Sequence, residues 1–171
     1  MAKKEEGSKT DEFLQENQVI FNKYKPLVKI DQGSFGNIYK VIRLSDQKEF
    51  ALKIEKKSNL IRYLESEAYH LFNLQKGYGF PKLISFGKIK KYNILIETLL
   101  GKSLYNIYFN TENKCNLSDA CLIALQILDR LEYIHSKNLL YRDVKPENFL
   151  IGIDDPNTIY IIDFGLCKKY R

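Results

Sequence analysis

The sequence has few of the residues that build metal clusters and disulfide frameworks. Its 171 residues include three cysteines and two histidines, and Cys115, Cys121 and Cys167 form no Cys-x-x-Cys pair. A structural zinc site needs a full set of such ligands, and a disulfide scaffold needs paired cysteines. Both classes are disfavoured, and the cysteines indicate reduced thiols in a cytoplasmic or nuclear protein.

Long apolar runs, internal repeats and low-complexity segments are also missing from the sequence. A membrane-spanning helix takes about 20 apolar residues, which no stretch supplies, and residues 1–7 lack the apolar core of a secretory signal. The composition is 44% hydrophobic and 28% charged with a net charge of +6, which is typical of a soluble globular domain. The lysines are spread along the chain, which favours a solvated surface over a nucleic-acid-binding patch.

Polarity and periodicity divide the chain into three segments. Residues 1–17 are charged without periodicity and are predicted to be a mobile tail. Residues 18–98 predict an antiparallel meander with one helix over 59–75. Residues 99–171 begin with a predicted hinge at 99–101 and a short helix at 103–109. The predicted strands lie at 27–30, 38–42, 50–54, 82–86 and 92–97.

The longest predicted helix covers residues 118–137. Ser118 is its expected N-cap, and Leu117 is expected to pack on Leu122 across the cap. Its apolar residues lie on nearly every face, a pattern typical of a helix that is buried all round. Because little sequence follows this helix, we expect it to be partly uncovered and the isolated chain to be poorly soluble.

A glycine-containing turn separates the first two predicted strands. Gly33 and Gly36 flank Ser34 and Phe35, and a glycine loop lets backbone N–H groups approach a phosphate closely. A simple hairpin is the alternative, which the turn by itself favours.

A lysine lies on the strand that follows this turn. Lys53 is placed to point inward and pair with nucleotide phosphates, and an exposed strand lysine is the alternative. An inward lysine needs a carboxylate partner. Glu65 and Glu67 flank the apolar stripe of the next helix on opposite sides, at about 100° per residue, so periodicity leaves the choice between them open.

Two motifs near the end of the sequence are its most specific signal. Residues 143–148 read Asp-Val-Lys-Pro-Glu-Asn, and Asp-Phe-Gly at 163–165 follows the apolar run 158–162. This order and spacing suit phosphoryl transfer, which depends on positioning and charge stabilisation. A charged loop without a shared role is the alternative, and the combination makes it improbable.

Each polar residue of the two motifs has a role in that chemistry. Asp143 would accept or orient the proton of an attacking hydroxyl, and Lys145 would neutralise charge on the transferred phosphoryl group. Asn148 and Asp163 would hold Mg²⁺. Arg142 suits a phosphorylated or acidic segment.

With these motifs, the chain from residue 19 onward resembles the protein kinases and, within them, the casein kinase I group. The strings that carry the closer resemblance lie at 33–39, 65–66, 99–101, 103–104, 132–138, 148–152, 162–166 and 168–171. The resemblance implies an α+β, protein kinase-like fold. Its N-terminal lobe at 18–98 would be an antiparallel sheet with one helix, and its C-terminal lobe at 99–171 would be mainly helical and incomplete, ending just after Asp-Phe-Gly.

The resemblance also implies a reaction and a set of residues. ATP and Mg²⁺ would be the cofactors, and serine or threonine hydroxyls of protein substrates, acidic or already phosphorylated, would accept the γ-phosphate. Glu65 becomes the expected partner of Lys53. The implied nucleotide contacts are Ile30, Asp31, Gln32, Gly33, Ser34, Phe35, Gly36, Asn37, Ile38, Ala51, Lys53, Leu99, Leu100 and Leu150.

Three features depart from the family pattern. Asp31 stands where the family has a glycine, which adds a negative charge near the expected phosphates. Tyr141 replaces the usual histidine, where an aromatic ring can serve the same packing role. The activation segment and later helices are absent from this sequence. A catalytically silent fragment that binds nucleotide or a partner protein is therefore the alternative to an active kinase.

Overall fold

The computed structural model describes residues 19–33, 36–56, 62–109 and 114–170. The predicted tail at 1–17, the loop residues Ser34 and Phe35, and positions 59–61 of the first predicted helix lie outside the described residues. Within the described ranges, no helix is long and apolar enough to cross a membrane.

Five antiparallel strands form the sheet that the apolar runs predict, and the architecture is α+β. The strands are β1 (Tyr24–Gly33), β2 (Gly36–Arg43), β3 (Glu49–Lys56), β4 (Leu83–Ile89) and β5 (Tyr92–Thr98). Their order in the sheet is β1-β2-β3-β5-β4. The first hairpin is tighter than predicted, because Asp31 already pairs with Ile38 and Gly33 with Gly36.

Side-chain alternation gives this sheet two different faces. The apolar face buries Phe50, Leu52, Ile54, Tyr92, Ile94 and Ile96. Lys53 and Glu97 occupy the alternate positions of β3 and β5 and therefore point to the opposite face. In the register, Lys53 lies opposite Leu95 and Ala51 lies opposite Glu97, so Lys53 and Glu97 are diagonal neighbours.

Helix α1 (Tyr63–Leu74) covers the face that carries Lys53. Leu64 and Ala68 pack on Leu95 of β5, which sets the rotation of the helix about its axis. Glu67 lies three residues after Leu64 on this packed side and is buried. The packing of α1 thus aims a carboxylate at the sheet.

The C-terminal part consists of one long helix and short strands. These elements are α2 (Leu117–Ser136), β6 (Leu139–Leu140), β7 (Phe149–Ile151), β8 (Ile159–Ile161) and β9 (Lys168–Lys169), with a π-helical turn at Tyr105–Phe109 and a 3₁₀ turn at Pro146–Asn148. β6 pairs with β9, and β7 pairs with β8. Loop 141–148, between β6 and β7, therefore lies beside the turn 162–167, between β8 and β9.

Helix α2 begins one residue earlier than predicted, and Ser118 is not its N-cap. The side-chain oxygen of Asn116 accepts a hydrogen bond from the backbone N–H of Asp119 at 2.8 Å, so Asn116 is the cap. Leu117 is then the first helical residue and is 81% exposed, and the predicted packing across the cap is wrong. Asn and Ser are both good caps, and only the chain geometry decides between them.

The last turns of α2 attach it to the rest of the chain. Arg130 and Ile134 are buried, and Arg130 Nε donates a hydrogen bond to the carbonyl of Ile159 at 3.2 Å. Gln126 Oε1 accepts the N–H of Ile159 at 3.0 Å. These hydrogen bonds hold the C-terminal half of the helix against β8, while its first turns, residues 117–122, are exposed.

The exposed leucines of α2 predict self-association. Leu125 and Leu128 are each 60% exposed, as expected for a partly uncovered helix. Leu125→Gln with Leu128→Gln should reduce association in light scattering, and each should leave the free energy of unfolding within about 0.5 kcal/mol. The control Ile134→Ala, at a buried position of the same helix, should cost about 2–5 kcal/mol. Unchanged association in the leucine variants would contradict this.

Candidate active site

A cleft of about 700 Å³ lies between the sheet and the segment that follows β5. Its walls are mainly apolar, and backbone groups of residues 99–101 run along one edge. An apolar slot with a few polar groups at its edge suits a flat heteroaromatic ligand. The predicted nucleotide contacts that line it are Ile30, Asp31, Ile38, Ala51, Lys53, Leu99, Leu100 and Leu150.

A second cleft of about 360 Å³ adjoins the first and shares Lys53 with it. Its lining includes the charged and polar residues Glu67, Lys145, Asn148 and Asp163. Of the remaining predicted nucleotide contacts, Gln32, Gly36 and Asn37 line this second cleft. Gly33 is the last residue of β1, and Ser34 and Phe35 lie outside the described residues.

Two features of the glycine turn have local explanations. A Cβ at Gly36 would meet the carbonyl oxygen of Ile54, so this glycine permits the close approach of β2 to β3. Asp31 is exposed and lines both clefts, and its Oδ1 accepts the backbone N–H of Gln32 at 2.7 Å. The negative charge of Asp31 therefore lies at the edge of both clefts, and one of its carboxylate oxygens accepts a backbone hydrogen bond.

Lys53 is buried where the two clefts meet, and two carboxylates hold its ammonium group. Nζ lies 2.6 Å from Glu67 Oε1 and 3.0 Å from Glu97 Oε1, and both acids are buried. Burial lowers the pKa of Lys53, whereas the charges of Glu67, Glu97 and Asp163 raise it. The carboxylates together outweigh burial, so the net pKa lies above the usual lysine value. The lysine therefore stays charged.

Glu67, and not Glu65, is the partner of Lys53, which corrects the residue that the resemblance implied. Glu65 lies 3.4 Å from Arg62 Nη1 and 3.5 Å from Lys88 Nζ, with a side chain that is 37% exposed. The two glutamates flank the apolar stripe on opposite sides. The packing of α1 on β5 decides which of them faces the sheet, and that packing is not a local property of the helix.

Glu97 is a site residue that the sequence reasoning missed. A signal was present, since a carboxylate directly follows the apolar run of β5 and shares a strand face with Lys53 once the register is known. Its Oε1 contacts Lys53, whereas its Oε2 is buried and has no hydrogen-bond partner among the described residues.

The carboxylates around Lys53 exceed the positive charge available to them. Burial raises the pKa of Glu67 and Lys53 lowers it, but Glu97 and Asp163 raise it again, and the net pKa rises to about 7. Excess negative charge in a buried pocket is a feature of sites that receive a cation.

Loop 141–148 brings three of the predicted catalytic and metal-binding residues together. Asp143 Oδ2 accepts a hydrogen bond from Asn148 Nδ2 at 2.8 Å and lies 2.8 Å from Lys145 Nζ. The hydrogen bond to Asp143 is the main reason that the pKa of Lys145 is raised. Asp143 is only partly buried, so this oriented carboxylate remains accessible to an incoming hydroxyl.

Asp163 faces the same space from the adjoining turn. Its φ of 61° is left-handed, a conformation that costs energy for a residue with a side chain. The neighbouring Phe164 is fully buried and packs against Tyr141, with 5.9 Å between ring centroids. Tyr141 also donates a hydrogen bond to the carbonyl of Ile162 at 2.6 Å. The aromatic residue at 141 thus has the packing role expected of it.

Asn148 and Asp163 fit a metal ion that arrives with a ligand. Both line the smaller cleft and offer oxygen atoms, and Mg²⁺ binds through one or two carboxylates together with phosphate oxygens and water. The described residues hold no group of three or more Asp, Glu, His or Cys arranged to bind a metal alone. Phosphate oxygens would complete the coordination.

The order of these elements matches a known family. A family model described as "Protein kinase domain" matches residues 24–171. The chain belongs to the protein kinase family. The match covers the whole sheet, α1 and both motif loops, and the α+β fold is that of a partial kinase domain. Kinases use ATP with a divalent metal and act on protein substrates. The role of each individual residue in this kinase chain stays a prediction.

The raised pKa of Glu67 predicts that stability falls as the pH rises. A carboxyl group that binds its proton more tightly in the folded chain contributes stability below its unfolded pKa of 4.5, and this contribution is lost as the pH rises through about 7. Urea unfolding across this range measures the effect. Glu67→Gln should flatten the profile, because the amide does not titrate.

Glu65→Gln is the matched control for this experiment. It makes the same change on the same helix, at a carboxylate that contacts Arg62 and Lys88 instead of Lys53. The control should keep the wild-type profile. A profile that flattens in Glu65→Gln, or persists in Glu67→Gln, would show that the pairing of Lys53 is misassigned.

Proposed function

We propose that this chain is a serine/threonine protein kinase of the casein kinase I group that transfers the ATP γ-phosphate to hydroxyl groups of protein substrates. The observation that carries the proposal is that buried Lys53 and Asp163 line one cleft together with Asn148 and Lys145, the two residues that contact Asp143. Phosphoryl transfer requires charge stabilisation and alignment more than covalent participation by the enzyme. This arrangement offers both.

In this proposal, each of the two clefts binds a different part of the nucleotide. The apolar larger cleft takes adenine, with Ile30 and Ala51 on one side and Leu150 on the other. Lys53, at the junction, holds the phosphates. The family resemblance at 99–101 supports hydrogen bonds from this backbone segment to the base.

The smaller cleft and loop 141–148 carry the chemistry. Asn148 and Asp163 hold Mg²⁺, which supplies neutralising charge to the phosphates when it is bound. Asp143, oriented by Asn148 and Lys145, accepts or orients the proton of the substrate hydroxyl. Lys145 then lies where it can offset charge on the transferred group.

Exposed basic residues near the motifs support an acidic or phosphorylated substrate. Lys168 and Lys169 form the exposed strand β9, and exposed Arg142 donates a hydrogen bond from Nε to the carbonyl of Leu166 at 2.7 Å. The closer casein kinase I strings support the same preference. The free thiols of Cys115, Cys121 and Cys167 fit the proposed location in the cytoplasm or nucleus.

The exposed leucines of α2 favour a second candidate function. Leu125 and Leu128 are each 60% exposed, and they offer an apolar surface to a partner protein. In this alternative, the chain binds nucleotide and a partner without phosphorylating a substrate itself.

Phosphotransfer from ATP to casein tests the proposed function. Asp143→Asn should lower the turnover about 10²–10⁴-fold, because the amide cannot accept a proton. The matched control is Asp154→Asn, at an exposed aspartate in the loop between β7 and β8, which should keep wild-type turnover.

The outcomes separate the two candidates. Turnover that is lost in Asp143→Asn and kept in Asp154→Asn supports the kinase. ADP binding by calorimetry without turnover in the wild type supports the silent binding module. Turnover that survives in Asp143→Asn would contradict the role given to that aspartate.

A further inference from the structure

Glu97 is the feature of the site that the proposed phosphotransfer chemistry does not use. Its side chain is buried, it lines the larger cleft, and its Oε2 has no hydrogen-bond partner among the described residues. A buried carboxylate oxygen without a donor destabilises the fold. Violations of this kind are expected at functional positions.

Glu97 competes for the same cation that a nucleotide needs. The ammonium of Lys53 donates to Glu67 at 2.6 Å and lies 3.0 Å from Glu97 Oε1, so two of its donors already face carboxylates. In the proposed function, the same ammonium receives phosphate oxygens. A phosphate group must therefore share the ammonium of Lys53 with both carboxylates, and it is also repelled by their negative charge.

The two competing carboxylates differ in how they are held. Glu67 belongs to α1, which packs on the sheet through a few side chains. Glu97 belongs to β5, which is hydrogen-bonded to β3 on one side and to β4 on the other. The position of Glu97 is thus set by the sheet itself, and it remains beside Lys53 even if the helix shifts.

We propose that Glu97 is a positioning residue that restrains Lys53 and weakens the binding of nucleotide phosphates unless a divalent cation accompanies them. The inference rests on the proposed nucleotide-binding function. The carboxylate occupies the lysine and repels free phosphate oxygens. A cation bound to the nucleotide offsets that charge, so the site discriminates in favour of the metal-bound nucleotide.

Calorimetry with adenosine and ADP, each with and without Mg²⁺, isolates this effect. Glu97→Gln removes the charge and keeps the shape of the side chain. It should tighten the binding of ADP about tenfold in the absence of Mg²⁺, which corresponds to about 1.4 kcal/mol. The gain should be smaller with Mg²⁺, and adenosine should bind within about twofold of wild type because it has no phosphate.

Two further variants test whether the change in ADP affinity comes from Glu97 itself. One controls for effects of the buried polar group on folding, and the other controls for the change in net charge. Glu97→Met removes both the charge and the unpaired polar oxygen with a side chain of similar length, and it should shift ADP binding in the same direction. Glu65→Gln makes the same change of charge at a partly exposed carboxylate of α1 that does not contact Lys53, and it should leave both affinities within about twofold.

The possible results distinguish the role of Glu97 from the function it rests on. Equal gains in affinity for adenosine and ADP, or no gain in ADP affinity in either Glu97 variant, would overturn the role of Glu97. If adenosine still binds in that case, the proposed nucleotide site stands. A wild-type chain that binds neither adenosine nor ADP, with Mg²⁺ present, overturns the proposed function together with the inference.

Discussion

The buried ammonium of Lys53 is the interaction on which the rest of the site depends. A buried charge is tolerated only when it is paired, and Lys53 is paired with Glu67 from α1 and Glu97 from β5. These contacts join the helix to the sheet at the point where the two clefts meet. Because the nearby carboxylates exceed this positive charge, the site is prepared for a further cation, which the divalent metal of a kinase supplies.

The second constraint is the pairing of the short strands that carry the motif loops. β6 with β9 and β7 with β8 set the two loops side by side. Arg142 and Asp163 adopt left-handed backbone conformations there, with φ of 68° and 61°. Burial of Phe164 and the bond from Arg142 to the Leu166 carbonyl hold these conformations. Two of the described non-glycine residues with left-handed backbone thus lie in the loops that carry the proposed catalytic groups.

What could be predicted from the sequence follows from the range of the forces involved. Alternation and turn residues are local, and they predicted the strands of the sheet. The motif spacing predicted that Asp143, Asn148 and Asp163 belong to one site. The choice of Glu67 over Glu65 depends on how α1 packs against β5. Glu97 becomes visible only when the register of two strands distant in sequence is known. Both are tertiary properties, so periodicity could not supply them.

The most direct test of this central role is a pH titration of the Lys53 Nζ resonance by ¹⁵N NMR, with and without ADP and Mg²⁺. The surrounding carboxylates hold the pKa of Lys53 above the usual lysine value. Its signal should therefore keep the charged form at a pH where exposed lysines titrate, and it should shift when ADP and Mg²⁺ bind. A Lys53 signal that titrates with the exposed lysines and does not respond to ADP would contradict the central role of this ion pair.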